Sequence, residues 1–276
     1  MIQVYRDKLK SFQILSGTGL KMIACIAMFI DHLSKIVLSW FTSSVWFPMY
    51  QNGIMNWEQF HNLDNFIRFT LHGIGSVAFP LFCFLLSEGF YYTGNRKRYI
   101  GRMLLFAFIS EIPFDIGFFH AYSKNVGSFP FYWEYQNVYF TLFLGLLCLL
   151  CIEKLQYNKE NLIDKMKSRL LQLLSVVTIF FIAELVHCDY GGQGILFIVS
   201  FYLLRQKRIC QIIAFLILYM ITTGNQPTIY VFIFAALILF YNGKRGCLRT
   251  KNFFYWFYPV HIIILYLSTL LLQIVM

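Results

Sequence analysis

Charge is what this 276-residue sequence has least of: Asp, Glu, Lys and Arg together make up 13% of it, against about a quarter of an ordinary soluble domain. That shortage, with 58% hydrophobic and 20% aromatic residues, excludes a sizeable water-soluble domain. The acidic half is scarcer still, 13 residues against 23 Lys and Arg, for a net charge of +10. In a chain this apolar, excess basic residues are first a topology signal and not evidence of nucleic-acid binding. A disulfide framework is missing too. Most of the seven cysteines lie in apolar runs (Cys25, Cys83, Cys148, Cys151, Cys210), where a reduced thiol behaves as a small hydrophobe. Cys148 and Cys151 form a CxxC inside plain lipid-phase helix with no second ligand pair. No internal repeat, low-complexity tract, HxxxH pair or phosphate-binding fingerprint is present, and no metal is expected.

What is present is a series of apolar runs. Nine candidate spans fall at about residues 20–41, 70–92, 99–120, 137–153, 169–188, 192–204, 209–223, 227–241 and 253–275, long enough together for an all-α polytopic transmembrane bundle. The sixth and eighth are short, which leaves them open to being tilted, half-buried or partly re-entrant. Twenty of the 23 basic residues alternate with these spans on one side. They are Arg6, Lys8, Lys10 and Lys21; Arg96, Lys97, Arg98 and Arg102; Lys154, Lys159, Lys165, Lys167 and Arg169; Arg205, Lys207 and Arg208; and Lys244, Arg245, Arg249 and Lys251. The positive-inside rule then places the N-terminus in the cytoplasm and the C-terminus outside. The first span is not a cleavable signal, because Asp31, His32 and Lys35 interrupt it. Residues 1–19 read as an amphipathic cytoplasmic leader and 20–276 as a single transmembrane domain.

Ionisable residues within spans cost at least about 2.5 kcal/mol at the centre unless paired or wet, so they mark candidate function. Asp31, His32 and Lys35 share the first span; at spacings of three and four, Lys35 can meet either neighbour on one face. Asp31 and His32 themselves point about 100° apart, so Asp31 cannot orient His32 without another helix. Arg68 and His72 enter the second span on a common face. Glu111 and Asp115 flank Pro113, which opens a helix locally, so they either line a polar cavity or hold neighbouring helices. Glu88 reads as an ion-pair partner of the basic 96–98 stretch. Asn137 and Thr141 open the fourth span, residues common in interhelical hydrogen bonds. Asp189 and Tyr190 precede a glycine-rich turn, and His261 follows Pro259 in the ninth span.

These residues sit in segments that together resemble a known family. LKMIACIAMFIDH (20–32), GSVAFPLFCFLLSEGF (75–90), RMLLFAFISEIPFD (102–115), NVYFTLFLGL (137–146), DYGGQGILFIVSFYLLR (189–205) and FYPVHIIIL (257–265) resemble the TraX family, whose best-known member acetylates conjugative pilin. The resemblance implies an integral-membrane acyltransferase, similar to the broader superfamily in which a first-span histidine is catalytic. Transferred position by position, it makes His32 the catalytic residue, Asp31 its motif partner and His261 the C-terminal motif histidine. Family members commonly carry Gly-Arg before Ala-Phe-Pro; here Ser76 stands in that place, and Arg68, eight residues earlier, is the expected substitute.

The expected reaction moves an acetyl group from cytoplasmic acetyl-CoA to an amine, ahead of a hydroxyl, of an exported pilin-like polypeptide or surface glycan. His32 is the base, and Arg68 or His72 steadies the oxyanion. Lys35, Arg96, Lys97, Arg98 and Arg102 are the expected contacts of the CoA phosphates, with residues 244–251 as an alternative. Glu111, Asp115, Asn137, Asp189, Tyr190 and Tyr258 are expected to line the acceptor site. The expected setting is the bacterial cytoplasmic (inner) membrane, with the lipid bilayer and the acceptor as partners and no nucleic acid. A proton-coupled small-molecule transporter using Asp31, Lys35, Glu111, Asp115 and His261 is the competing reading, and a scaffold whose charges only hold helices together is a third.

Overall fold

The apolar runs fold as helices, and the polar residues between them supply the caps. A computed structural model describes residues 13–119, 129–156, 161–224, 228–246 and 251–276. Most of the expected leader lies outside the described residues. The helices are α1 (Gly17–Gln51), α2 (Trp57–Tyr92), α3 (Arg96–Phe118), α4 (Val138–Leu155), α5 (Leu162–Leu185), α6 (Gly191–Leu203), α7 (Arg208–Thr223), α8 (Ile229–Leu239) and α9 (Lys251–Val275). Each expected span falls on one of them. Among the described residues there is no strand, only two isolated bridges.

By length and composition α1, α2, α4, α5 and α9 can cross a membrane. Helices α6, α7 and α8 are apolar but shorter. Helix α3 has 23 residues, with Arg102, Glu111 and Asp115 diluting its apolar part. The chain is thus an all-α, multi-pass membrane bundle.

The chain forms two compact units, their boundaries falling within α2 and α3. The first comprises Met1–Leu81, Ile109–Tyr132 and Ile229–Met276. Its α1 starts at Ser16, whose hydroxyl accepts from the Gly19 amide at 3.2 Å. The other open amides of that first turn are met by a distant segment: Gly17 N–H donates to Lys244 O at 2.8 Å and Thr18 N–H to Arg245 O at 3.0 Å. Leu15 pairs alongside Tyr241. A helix N-terminus normally leaves such donors to water or ligands; here the backbone after α8 consumes them.

Helix α1 is interrupted by π turns at Ser34–Leu38 and Thr42–Trp46, and α2 by one at Phe66–Leu71. Hydroxyls support the first two, with Ser34 Oγ donating to Asp31 O (2.7 Å), Ser39 Oγ to Ser34 O (3.0 Å) and Thr42 Oγ1 to Leu38 O (2.9 Å). Side-chain bonds to carbonyls one turn back loosen the regular ladder, and single π turns concentrate at functional sites. The first π turn begins two residues after His32.

The second unit comprises Phe82–Phe108 and Trp133–Thr228. In it α4 packs on α5 and α6. Asn137 caps α4, accepting from Tyr139 N–H at 2.9 Å, and its amide donates to Ala107 O at 2.8 Å. The start of α4 is joined to the end of α5 by Gln136 N–H to His187 O (3.1 Å) and Asp189 N–H to Gln136 O (2.8 Å). The turn into α6 passes through left-handed backbone at His187 (φ 51°) and Tyr190 (φ 63°), a region costly for residues with a side chain.

Candidate active site

Within the first unit, Asp31 and His32 leave α1 toward different partners, as their angular separation requires. The Asp31 carboxylate is buried and has a cation or donor on each oxygen. His72 Nδ1–H donates to Oδ1 at 2.6 Å, and the Lys35 ammonium meets Oδ2 at 2.8 Å. His72 reaches Asp31 because Gly75, one turn on, lets α2 approach closely; a Cβ there would fall 2.7 Å from the Asp31 carboxyl carbon.

His32 is 8% exposed and His261, from α9, 4%. Their rings lie 16° from parallel, with His32 Nδ1 2.7 Å from His261 Nε2. His261 Nδ1 is 2.5 Å from the carbonyl oxygen of Phe257. A carbonyl can only accept, so His261 Nδ1 bears the proton. In the neutral ring Nε2 is then an acceptor, and His32 Nδ1 must be the donor facing it. The remaining nitrogen of His32, Nε2, is left with its lone pair. This chain of two bonds is what a general base needs: one nitrogen anchored, the other able to receive a proton. Phe118 packs edge-on against His32 with ring centres 4.9 Å apart, and Tyr258 lies at 5.7 Å. Buried aromatic walls of this kind hold the imidazole in one orientation.

The other expected site residues separate into two groups. Tyr258 joins the cluster. Arg68 does not: it is 70% exposed and its ion pair is with Asp64 at 2.8 Å. The groups facing Asp31 are therefore the Lys35 ammonium and the His72 ring N–H, and Ser76 closes a helical turn by donating its hydroxyl to Gly73 O at 2.6 Å. Lys35, expected at the CoA phosphates, is engaged with Asp31 instead.

Asp115 is buried in α3, accepting from Tyr132 N–H at 2.9 Å through Oδ2. Its Oδ1 and the Ser110 hydroxyl find no hydrogen-bond partner among the described residues. Glu111, on the same helix, is half-buried.

In the second unit, Arg96 pairs with Glu153 at 2.6 Å, whereas Lys97 and Arg98 are exposed and Arg102 is half-buried. Asn137 is fully buried in its capping role. Asp189 accepts from the Thr141 hydroxyl through its main-chain oxygen, and Tyr190 sits at the N-cap of α6. Nearby, the Tyr135 phenol is pushed up by partial burial and then by the carboxylates of Asp189 and Glu184. Asn137, Asp189 and Tyr190 thus have structural roles in the second unit, while the histidine cluster belongs to the first. No group of three or more metal-ligating side chains occurs among the described residues.

Two members of the cluster were not legible in the sequence. Phe257 acts through a backbone oxygen, four residues before His261, and Phe118 lies three residues after Asp115 with nothing polar to mark it.

A multi-pass helical membrane protein holding a buried histidine pair beside an aspartate-centred ion cluster is the class these features define. The chain belongs to the TraX protein family, which matches residues 16–269. It is 30% identical over 275 residues to the "Probable fimbrial assembly protein FimC, serogroup H1" of Dichelobacter nodosus, covering 94% of this chain and 97% of that protein. No solved structure matches it.

Proposed function

We propose that the chain is a membrane acetyltransferase of the bacterial cytoplasmic membrane that moves an acetyl group from acetyl-CoA to an amine, ahead of a hydroxyl, of an exported pilin-type polypeptide. The fimbrial-assembly name of its relative supports the acceptor class, and the TraX resemblance supports the reaction. The observation that supports catalysis most directly is the Phe257–His261–His32 chain, which leaves His32 Nε2 ready to take a proton.

The donor supplies an acetyl thioester. His32 Nε2 removes the acceptor's proton as its nitrogen or oxygen attacks the thioester carbonyl, and returns it to the departing thiolate. Lys35 and His72, the groups clustered on Asp31, are assigned to the developing oxyanion. Asp115 Oδ1 is assigned to an acceptor N–H or O–H. A buried acceptor atom left unmatched costs about 1–3 kcal/mol, which a substrate donor would recover. Of the basic residues expected at the CoA phosphates, Lys97 and Arg98 are the exposed pair.

The test is intact-mass spectrometry of candidate pilins and secreted polypeptides from cells carrying wild type or His32→Ala. Wild type should add 42 Da, the mass of an acetyl group replacing a proton. His32→Ala should insert normally and add none. Acetylation at the wild-type level by His32→Ala would overturn this assignment.

A further inference from the structure

Where α4 ends and α5 begins, the second unit contains a cavity of about 190 Å³. Part of its lining is apolar, from Ile152 and Leu203; the rest is Gln156, Lys165, Ser168, Arg169 and Gln172. The last four lie within two turns of α5, at i, i+3, i+4 and i+7, so they share one face of that helix.

The end of a helix exposes carbonyl oxygens that repel an anion. Two of those at the end of α4 are occupied: the Ser168 hydroxyl donates to Leu155 O, and Gln172 Nε2 donates to Ile152 O at 3.1 Å. Glu153, at the same helix end, is paired with Arg96 at 2.6 Å. Lys165 and Arg169 have no ion-pair partner among the described residues. Among the described residues the cavity therefore presents two cations without an ion-pair partner, beside the Leu155 and Ile152 carbonyls that are already bonded.

Its size and setting narrow the ligand. Sites for drug-sized molecules run to about 300–1,000 Å³, so this one fits a phosphate group and not a nucleotide. Beside it α5 is apolar and unusually open: Leu162, Met166, Leu170 and Leu173 are all more than half exposed, and only 11% of the helix's apolar window is buried. In a membrane that stripe faces acyl chains. Lys154, Lys165, Lys167 and Arg169 mark this end of the helices as the cytoplasmic one by the positive-inside rule, and basic pockets between helices on that side suit anionic head groups.

We propose that this cavity binds the phosphate of an anionic phospholipid in the cytoplasmic leaflet, with its acyl chains along the α5 stripe. The phosphate chemistry would also accept free phosphate, and the experiment separates the two. Purified full-length protein is mixed with phosphatidylglycerol or phosphatidylcholine, and retained lipid is counted by native mass spectrometry.

Wild type should retain phosphatidylglycerol selectively. The double variant Lys165→Gln/Arg169→Gln should lose roughly tenfold in retention, the worth of one charge-assisted hydrogen bond. Both residues are exposed, so folding should survive, as an unchanged melting curve would show. Lys167→Gln, on the same helix but outside the lining, should retain lipid like wild type. Unaltered retention by the double variant, or an equal loss in Lys167→Gln, would overturn the proposal. Displacement of the lipid from wild type by millimolar inorganic phosphate would overturn the lipid assignment in favour of a free-anion site.

Discussion

His261 decides which nitrogen of His32 is basic, because its own Nδ1 is committed to the Phe257 carbonyl and only its Nε2 faces His32. Removing it should free His32 to flip or change tautomer without removing the base itself. The His261→Ala variant should therefore lose kcat by about 10²–10⁴, the usual range for disabling acid–base catalysis, with KM little changed. His261→Gln, whose side-chain oxygen can accept from His32 Nδ1–H, should recover most of that loss; steady-state acetyl transfer measures both. A residue that only filled space would give equal deficits in the two variants. The outcome for Asp31→Ala is different in kind, because it strands Lys35 and His72. It should lower stability by about 1–3 kcal/mol, the range for losing hydrogen bonds to a charged group, read as a lower melting temperature in detergent. Asp31, His32, His72 and His261 were legible in the sequence because each is a costly group inside an apolar run. Arg68 stays away from the cluster for a physical reason. Asp64 lies one turn before it, and a local i, i+4 ion pair outcompetes a longer reach toward the cluster. Phe257 contributes only an oxygen that every residue has, so no residue type could have announced it.

At the scale of elements, the contact of α1 with α2 depends on a hydrogen atom. Gly75 sits against Asp31, and any side chain there meets the carboxylate. Gly75→Ala should force the helices apart and cost about 1–3 kcal/mol as overpacking, while also lengthening the His72–Asp31 bond. The expected result is a variant that still inserts, melts lower and transfers acetyl groups slowly; a melting curve unchanged from wild type would show that α2 has room to shift. Asn137 makes the converse case. Its side chain caps α4 and bridges to Ala107 O, so Asn137→Ala should destabilise by about 1–2 kcal/mol and leave the activity of the folded fraction intact. Loss of activity at unchanged stability would restore the acceptor-lining role expected from the sequence. The helices themselves were readable from apolar run length, whereas the three π turns were not. Such a turn adds one residue without altering composition, and hydropathy cannot register it. The close approach at Gly75 was equally hidden, since a glycine is informative only once its neighbour is known.

For the whole molecule the question is how many times the chain crosses. Helices α6, α7 and α8 have 13, 16 and 11 residues, or roughly 20, 24 and 16 Å at 1.5 Å per residue. A hydrocarbon core of about 30 Å exceeds all three, so length alone leaves their crossing open. The backbone of the first unit constrains it. Leu15, Gly17 and Thr18, at the start of α1, are hydrogen-bonded to Phe240, Lys244 and Arg245, after α8. Both segments must lie at the same membrane surface, so an even number of crossings separates them, and eight helices satisfy that. Alternation of the basic residues reaches the same parity by an unrelated route, through electrostatics at insertion. Helix α9 is long and apolar enough for one more crossing, which would take the C-terminus to the opposite side. Single cysteines at Ile14, Lys244 and Met276, in a background with the native cysteines replaced by serine, test this with a membrane-impermeant maleimide. Intact cells should label Met276→Cys alone, and permeabilised cells should label all three. Labelling of Lys244→Cys without Ile14→Cys in intact cells would mean an odd number of crossings before α9, which the hydrogen bonds joining the two segments do not permit.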